Sequence, residues 1–347
     1  MTNPVLIDVL RGSTVESAHT GAVAVVDSAG RVYAKLGDID RHVFPRSAVK
    51  VLQAMPLVTS GAADRLQLTD AELALACASH NGEPEHVGTA LGMLRKAGLD
   101  EHALECGVQW PAREQVLRAM VGRGEDASAL HNNCSGKHAG FICLACEMAT
   151  QQGVDAAAFA RGYIEPGHSV MREVTAALSD CTDTDLSKVP RGTDGCSIPT
   201  YAIPLRQLAL AFARLGTGQG LSTERASAAK RLRQAVAGAP FMVGGSQRFD
   251  TVVMNELGER VFCKIGAEGV YCASFPELGL GVALKIDDGQ ARAAEATMAS
   301  LIASLLPCSD ASHALLHSLS QPTLYNWNRR NVGGLSPSKS LSALKPA

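Results

Sequence analysis

The chain has 347 residues, of which 46% are hydrophobic and only 4% aromatic, with a net charge of −2 and a pI near 6.6. That length supports one large core or two intimate ones, and a chain poor in rings but holding 33 glycines must close its core by near approach of backbones. No basic block marks a nucleic-acid binder, no apolar run is long enough to span a membrane, and MTNPVLIDVLRGSTVESAH lacks the basic start and apolar core of an export signal, so a cytoplasmic location is expected.

In chain order, GAVAVVDSAGRVYAKLG (21–37) reads as two strands around an Asp-Ser-Ala-Gly turn. A buried helix is expected from Arg46 to Thr59, bent or shortened by Pro56, with Ser47 in its first turn. Thr69 and Glu72 form a T-x-x-E capping box ahead of LALACA, and that helix is expected to run to about Ser79–Gly82. A third helix spans Pro84 to Lys96. LHNNCSGKH (130–138) reads as a polar loop leading into the helix AGFICLACEMATQQ. Residues 250–286 read as four strands of an antiparallel meander, with Lys264 on an edge, and a helix from Gln290 to Leu306 follows. The tail from 326 to 347 is polar and Ser-rich and is expected to be loose. Strands at both ends with helices between them predict an α+β fold. Its antiparallel sheet is built from both chain ends, with helices on its faces, in a single domain over residues 1–325.

Ten cysteines without an export signal are expected to be reduced thiols. Cys143 and Cys146 lie inside an apolar helix and read as core. Cys134, in NNCSGKH, and Cys196, in TDGCSIP, lie in polar turns instead. Ligand chemistry alone would combine these two thiols with His138 around zinc.

The pattern S-x-x-K occurs four times, at Ser47/Lys50, Ser227/Lys230, Ser336/Lys339 and Ser342/Lys345. The second lies on a charged helix face and the last two in the tail. Only Lys50 stands in an apolar helix, where burial disfavours its charge and suits it to act as a base toward a serine on the same face. The alternative is a lysine that snorkels to the surface. Ser79-His80-Asn81 supplies one S-x-N, and Lys264-Ile265-Gly266 a K-x-G on a strand.

S-x-x-K, then S-x-N, then K-x-G resembles the three-part signature of serine β-lactamases and penicillin-binding proteins, with different spacings. The chain as a whole, to about residue 325, resembles the Rhizobium etli-type (class 3) L-asparaginases. FPRSAVK, ASHNGE, HNNCSGKHAG, TDGCSIP and FCKIGAEGVY carry this resemblance. It implies a β-lactamase-like fold, a homodimer, and hydrolysis of L-asparagine to L-aspartate and ammonia. It also implies two Ser-Lys pairs, Ser47 with Lys50 and Ser79 with Lys264. Either serine could be the nucleophile, and Ser47 is taken as the attacking one. Arg46 would hold the substrate carboxylate or else sit in a surface ion pair. Asp194 would hold the substrate ammonium, and His80 and Glu83 would line the pocket. For zinc the resemblance implies Cys134, Lys137 and Cys196 with a water, and leaves His138 as a neighbour. Two alternatives stand beside this reading: a glutaminase or other β-lactamase-like serine amidase, and a non-catalytic zinc-binding protein.

Overall fold

The computed structural model describes residues 2–344, and the chain divides into two compact units. The first comprises the described parts of residues 1–48, 202–220 and 263–347, and the second residues 49–201 and 221–262.

The first unit is an antiparallel sheet of eight strands. They are β1 (Val5–Arg11), β2 (Thr14–Asp27), β3 (Val32–Leu36), β4 (Phe262–Gly266), β5 (Val270–Phe275), β6 (Leu280–Ile286), β7 (Thr323–Tyr325) and β8 (Asn331–Pro337). The order is β7-β8-β1-β2-β6-β5-β4, with β3 also pairing β2, so the sheet is built from both chain ends as expected and β4 is an edge. The Asp-Ser-Ala-Gly turn holds because the Asp27 carboxylate accepts the backbone N–H groups of Ala29 and Arg31, each at 2.9 Å. Helices Leu205–Thr217 and Ala291–Leu305 pack on the sheet. The backbone approach that the composition demands is visible at Gly281 of β6. A Cβ there would lie 2.0 Å from the carbonyl oxygen of Ala209.

Three expectations are corrected. The polar tail carries β8, which pairs with β1 from Ile7↔Pro337 to Arg11↔Gly333, and a short helix at Lys339–Ser342. Lys345, of the last S-x-x-K pair, lies outside the described residues. The meander has three strands, because DTVVMNE is helical: Phe249, Val253, Met254 and Leu257 bury one face at helical spacing. The expected helix over 46–59 is a 3₁₀ turn, Arg46–Val49, followed by two short helices, Lys50–Gln53 and Met55–Thr59. Pro56 sits in the first turn of the last, where a missing N–H costs nothing.

The second unit is mainly helical. Its helices include α1 (Asp70–Ala76), α2 (Pro84–Lys96), α3 (Ser135–Gln152), α4 (Thr223–Gly238) and α5 (Phe249–Leu257). The capping box of α1 is present: the Thr69 hydroxyl accepts Glu72 N–H, and Thr69 N–H donates to the Glu72 carboxylate at 2.7 Å. Helix α1 stops at Ala76, short of Ser79. Helix α3 starts four residues before the expected Ala139, so Lys137 and His138 lie in its first turns. Gly136 permits this: a Cβ there would sit 2.4 Å from the Leu75 carbonyl oxygen, so α3 can lie directly on α1.

Candidate active site

Lys50 is the centre of the second unit's polar core. Its side chain is 1% exposed, and Nζ donates to the Ala78 carbonyl at 2.5 Å, the Ser79 hydroxyl at 2.9 Å and the Cys134 sulfur at 3.1 Å. Three donors thus meet three acceptors, which is how a buried lysine is tolerated. The Ser79 hydroxyl, expected to pair with Lys264, accepts one of these hydrogen bonds from Lys50.

The sulfurs form the next layer. Lys137 is equally buried, and its Nζ donates to Cys196 Sγ at 3.0 Å. Cys196 sits at the tip of a hairpin, Arg191–Thr193 with Pro199–Tyr201, and its thiol donates to Cys134. That hydrogen bond, against the opposing cost of burial and with help from Lys50 and Lys137, holds Cys134 well below the usual thiol range. The same bond and then burial raise Cys196. Burial disfavours the Lys137 charge, but Cys196 and Cys134 more than offset this and raise its pKa. Asp194 stands near enough to add to that effect, and its carboxylate accepts Gly195 N–H at 2.7 Å. Two thiols and an amine converge, a set that suits a soft divalent ion once the amine has lost its proton. Among the described residues no three of His, Cys, Asp or Glu converge to hold a metal, so a metal site here depends on Lys137.

In the first unit Ser47 is half-buried in the 3₁₀ turn. Arg46 before it has φ of +51°, a left-handed backbone that is costly for a side-chain-bearing residue. Lys264 is fully buried on β4, with Nζ donating to the Ile265 carbonyl at 2.9 Å. The glycine of K-x-G explains how this strand meets the serine's turn. A Cβ on Gly266 would lie 2.4 Å from the Pro45 carbonyl oxygen and 3.3 Å from Ala48 Cβ.

The L-asparaginase II family profile matches residues 7–337. The chain belongs to that family. No curated protein matches it. Among solved structures it is similar to a β-lactamase from Mycobacterium bovis, at 15% identity over 79% of this chain and 89% of that one, with a TM-score of 0.35. It is also similar to a variant of a reconstructed last common ancestor of the class A β-lactamases of Gram-negative bacteria, at 17% identity over 87% and 90%, with a TM-score of 0.35. A third is the protein Mglu, at 14% identity over 79% of this chain and 64% of that one, with a TM-score of 0.34.

In this member of the L-asparaginase II family the S-H-N-G-E loop is held from several sides. Ser79 N–H donates to the Val243 carbonyl and His80 N–H to the Asn133 carbonyl. His80 accepts Gly82 N–H on Nδ1 at 3.1 Å and lies 3.0 Å from the Ser135 hydroxyl through Nε2, so neither ring nitrogen is spare. Burial, then the nearby His86 and Lys50, holds its pKa well below the usual range. The Glu83 carboxylate accepts from Ser246 N–H, the Ser246 hydroxyl, Asn81 and Arg113, at 2.7, 2.8, 3.2 and 2.7 Å. Both residues were expected to line the pocket, and the hydrogen bonds they make hold the loop.

Three participants carried no signal strong enough to find them. Asn133 accepts a hydrogen bond from Cys134 at 3.1 Å. Cys106 lies near Cys134, and burial, then that neighbour, pushes its thiol up to about 12. Tyr163 is fully buried with its hydroxyl 2.6 Å from His138 Nδ1. Asn133 lies in HNNCSGKHAG without being singled out there, whereas Cys106 and Tyr163 fall in no quoted motif and are brought in by tertiary packing. Among the described residues no helix is long and apolar enough to cross a membrane.

Proposed function

We propose that this protein hydrolyses L-asparagine to L-aspartate and ammonia through a serine acyl-enzyme. The observation that carries the reading is the buried Lys50 Nζ on the Ser79 hydroxyl, with Ser47 three residues earlier in the chain. The Ser47 oxygen attacks the side-chain amide carbon, and its proton passes through Lys50 and Ser79 to the leaving amine, which departs as ammonia. Lys50 donates to three acceptors at rest, so it accepts the serine proton only as it hands one on. Water then adds to the aspartyl ester, returns a proton to Ser47 by the same path and releases L-aspartate. Lys264, two residues from the glycine that meets the Ser47 turn, steadies the developing negative charge. Arg46 holds the substrate carboxylate and Asp194 its ammonium. His80 and Glu83 are assigned to holding the loop that carries Ser79.

Cys134, Lys137 and Cys196 would hold a zinc ion, which when bound supplies a Lewis acid beside the substrate. The same reading includes a homodimer and a cytoplasmic location. The test is ammonia release from L-asparagine and L-glutamine with wild type, Ser47→Ala and Ser79→Ala. Turnover of asparagine that is lost in Ser47→Ala is expected. Release from neither amide by the wild type overturns the function, and full activity in Ser47→Ala moves the nucleophile to Ser79.

A further inference from the structure

The helix Asp310–Ser320, in the first unit, buries Ser312, Leu316 and Ser320 and leaves His313 and His317 exposed, each one position further round. Of the ten histidines in the chain, these are the only two that stand four residues apart. Residues at that spacing share one helix face, with Cβ atoms about 5–6 Å apart. It is the spacing at which the two histidines of H-E-x-x-H helices hold zinc. Two exposed histidines are more often a solvated face. Here, however, both line one cavity of about 530 Å³, together with Ser300, Ser304, Gln321 and Ser342. Its walls come from three helices, Ala291–Leu305, Asp310–Ser320 and Lys339–Ser342. No hydrogen bond ties the His313 ring to a described residue. The Gln321 amide nitrogen lies 2.9 Å from His317 Nε2. An amide nitrogen only donates, so Nε2 presents its lone pair there. Among the described residues no third His, Cys, Asp or Glu joins the pair. The remaining positions on an ion would fall to water, which a cavity edged with serine hydroxyls suits. Two imidazoles without a carboxylate favour zinc, nickel or copper over magnesium or calcium.

We infer that His313 and His317 form a two-imidazole site for a divalent ion of the zinc, nickel and copper class. The ion bridges successive turns of the helix and must leave before either turn opens. Neither histidine belongs to the proposed active site, so the site stands whether or not asparagine is the substrate.

The test titrates zinc chloride into the full chain by calorimetry, for wild type, His313→Gln, His317→Gln and the double variant. Amide hydrogen exchange is followed with and without zinc. Both side chains are exposed, so the variants are expected to fold. Zinc taken up elsewhere, by Cys134 and Cys196 included, is common to all four proteins and cancels in the comparison. The wild type is expected to bind one zinc per chain more than each variant. Zinc should slow exchange over residues 310–320 in the wild type alone. Nickel chloride should compete for that zinc, and magnesium chloride should not. Equal zinc uptake by wild type and double variant overturns the inference. So does a single variant that keeps the extra zinc, since one imidazole would then suffice. Zinc that leaves exchange over 310–320 of the wild type unchanged overturns it without recourse to any variant.

Discussion

Replacing Gly266 with alanine tests whether strand β4 sets the position of the candidate nucleophile. The new Cβ would stand 2.4 Å from the Pro45 carbonyl oxygen, where real contacts do not fall under 3.0 Å, so the turn or strand must retreat by at least about 0.6 Å. Overpacking of this kind costs ~1–3 kcal/mol. The retreat also moves Ser47, two residues on from Pro45, and a misplacement of about 1 Å at a reacting group costs ~10²-fold. Gly266→Ala is therefore expected to lower kcat for asparagine by roughly 10- to 100-fold and to lower Tm. Gly88, inside α2 with nothing within 4 Å of its would-be Cβ, is the control. Gly88→Ala should keep full activity and gain ~0.4–1 kcal/mol of stability, since it restricts the unfolded chain and improves the helix. Ammonia release and thermal unfolding of the two variants decide the matter. Wild-type activity and Tm in Gly266→Ala would refute the reasoning.

Thr69→Ala removes half of the capping box and should cost ~1 kcal/mol in chemical denaturation with kcat unchanged. Glu83 supplies the pH dependence: burial alone would raise its carboxyl, but donors from Ser246 and Asn81 and the Arg113 charge more than offset this and hold it below the usual range. Its stabilisation is complete above the unfolded carboxylate pKa and is lost as pH falls through the lower folded value. Glu83→Gln should thus flatten the acid limb of a Tm-against-pH curve, and an unaltered limb would count against the clamp. Zinc bound after dialysis, measured by atomic spectroscopy, should fall in Cys134→Ser and Cys196→Ser and persist in His138→Gln. Loss in His138→Gln would return that imidazole to the metal.

Local chemistry made much of this fold legible. The capping box at Thr69, the helix from Pro84 to Lys96 and the edge strand of Lys264 all follow from residues within one turn of each other. What stayed hidden was set by distant partners. Strand β8 reads as tail because its sequence, NVGGLSP, is polar and glycine-rich. Its Gly333, at φ of +146°, is required where a Cβ would meet the Leu10 carbonyl oxygen at 1.9 Å, a neighbour more than 300 residues away. DTVVMNE misled because two adjacent valines suggest a strand, while the burial that decides lies on one helical face. The site divides in the same way. Spacing singled out Ser47, Lys50, Ser79 and Lys264, but the contact of Lys50 with Ser79 is a matter of packing, as is the place of Tyr163 beside His138.

The buried lysines carry the deeper signal. Lys50, Lys137 and Lys264 rank among the largest fully buried side chains, beside rings such as Tyr163, Tyr271, Phe212 and Phe275. An ammonium taken out of water costs several kcal/mol unless its donors are met, and an apolar residue of like volume would often do as well or better. Stability alone therefore gives no reason to keep three of them. Lys50 is met by a carbonyl, a serine and a sulfur, and Lys137 by a second sulfur. These are partners with chemistry of their own, whereas a lysine kept for the fold would more simply meet a carboxylate. The hydrogen bond from Cys196 and these cations lower the pKa of Cys134, and the two sulfurs raise that of Lys137 in turn. Removing one lysine would thus shift the proton affinities of its neighbours. The polar core is coupled as a unit, and single substitutions within it should be far from additive.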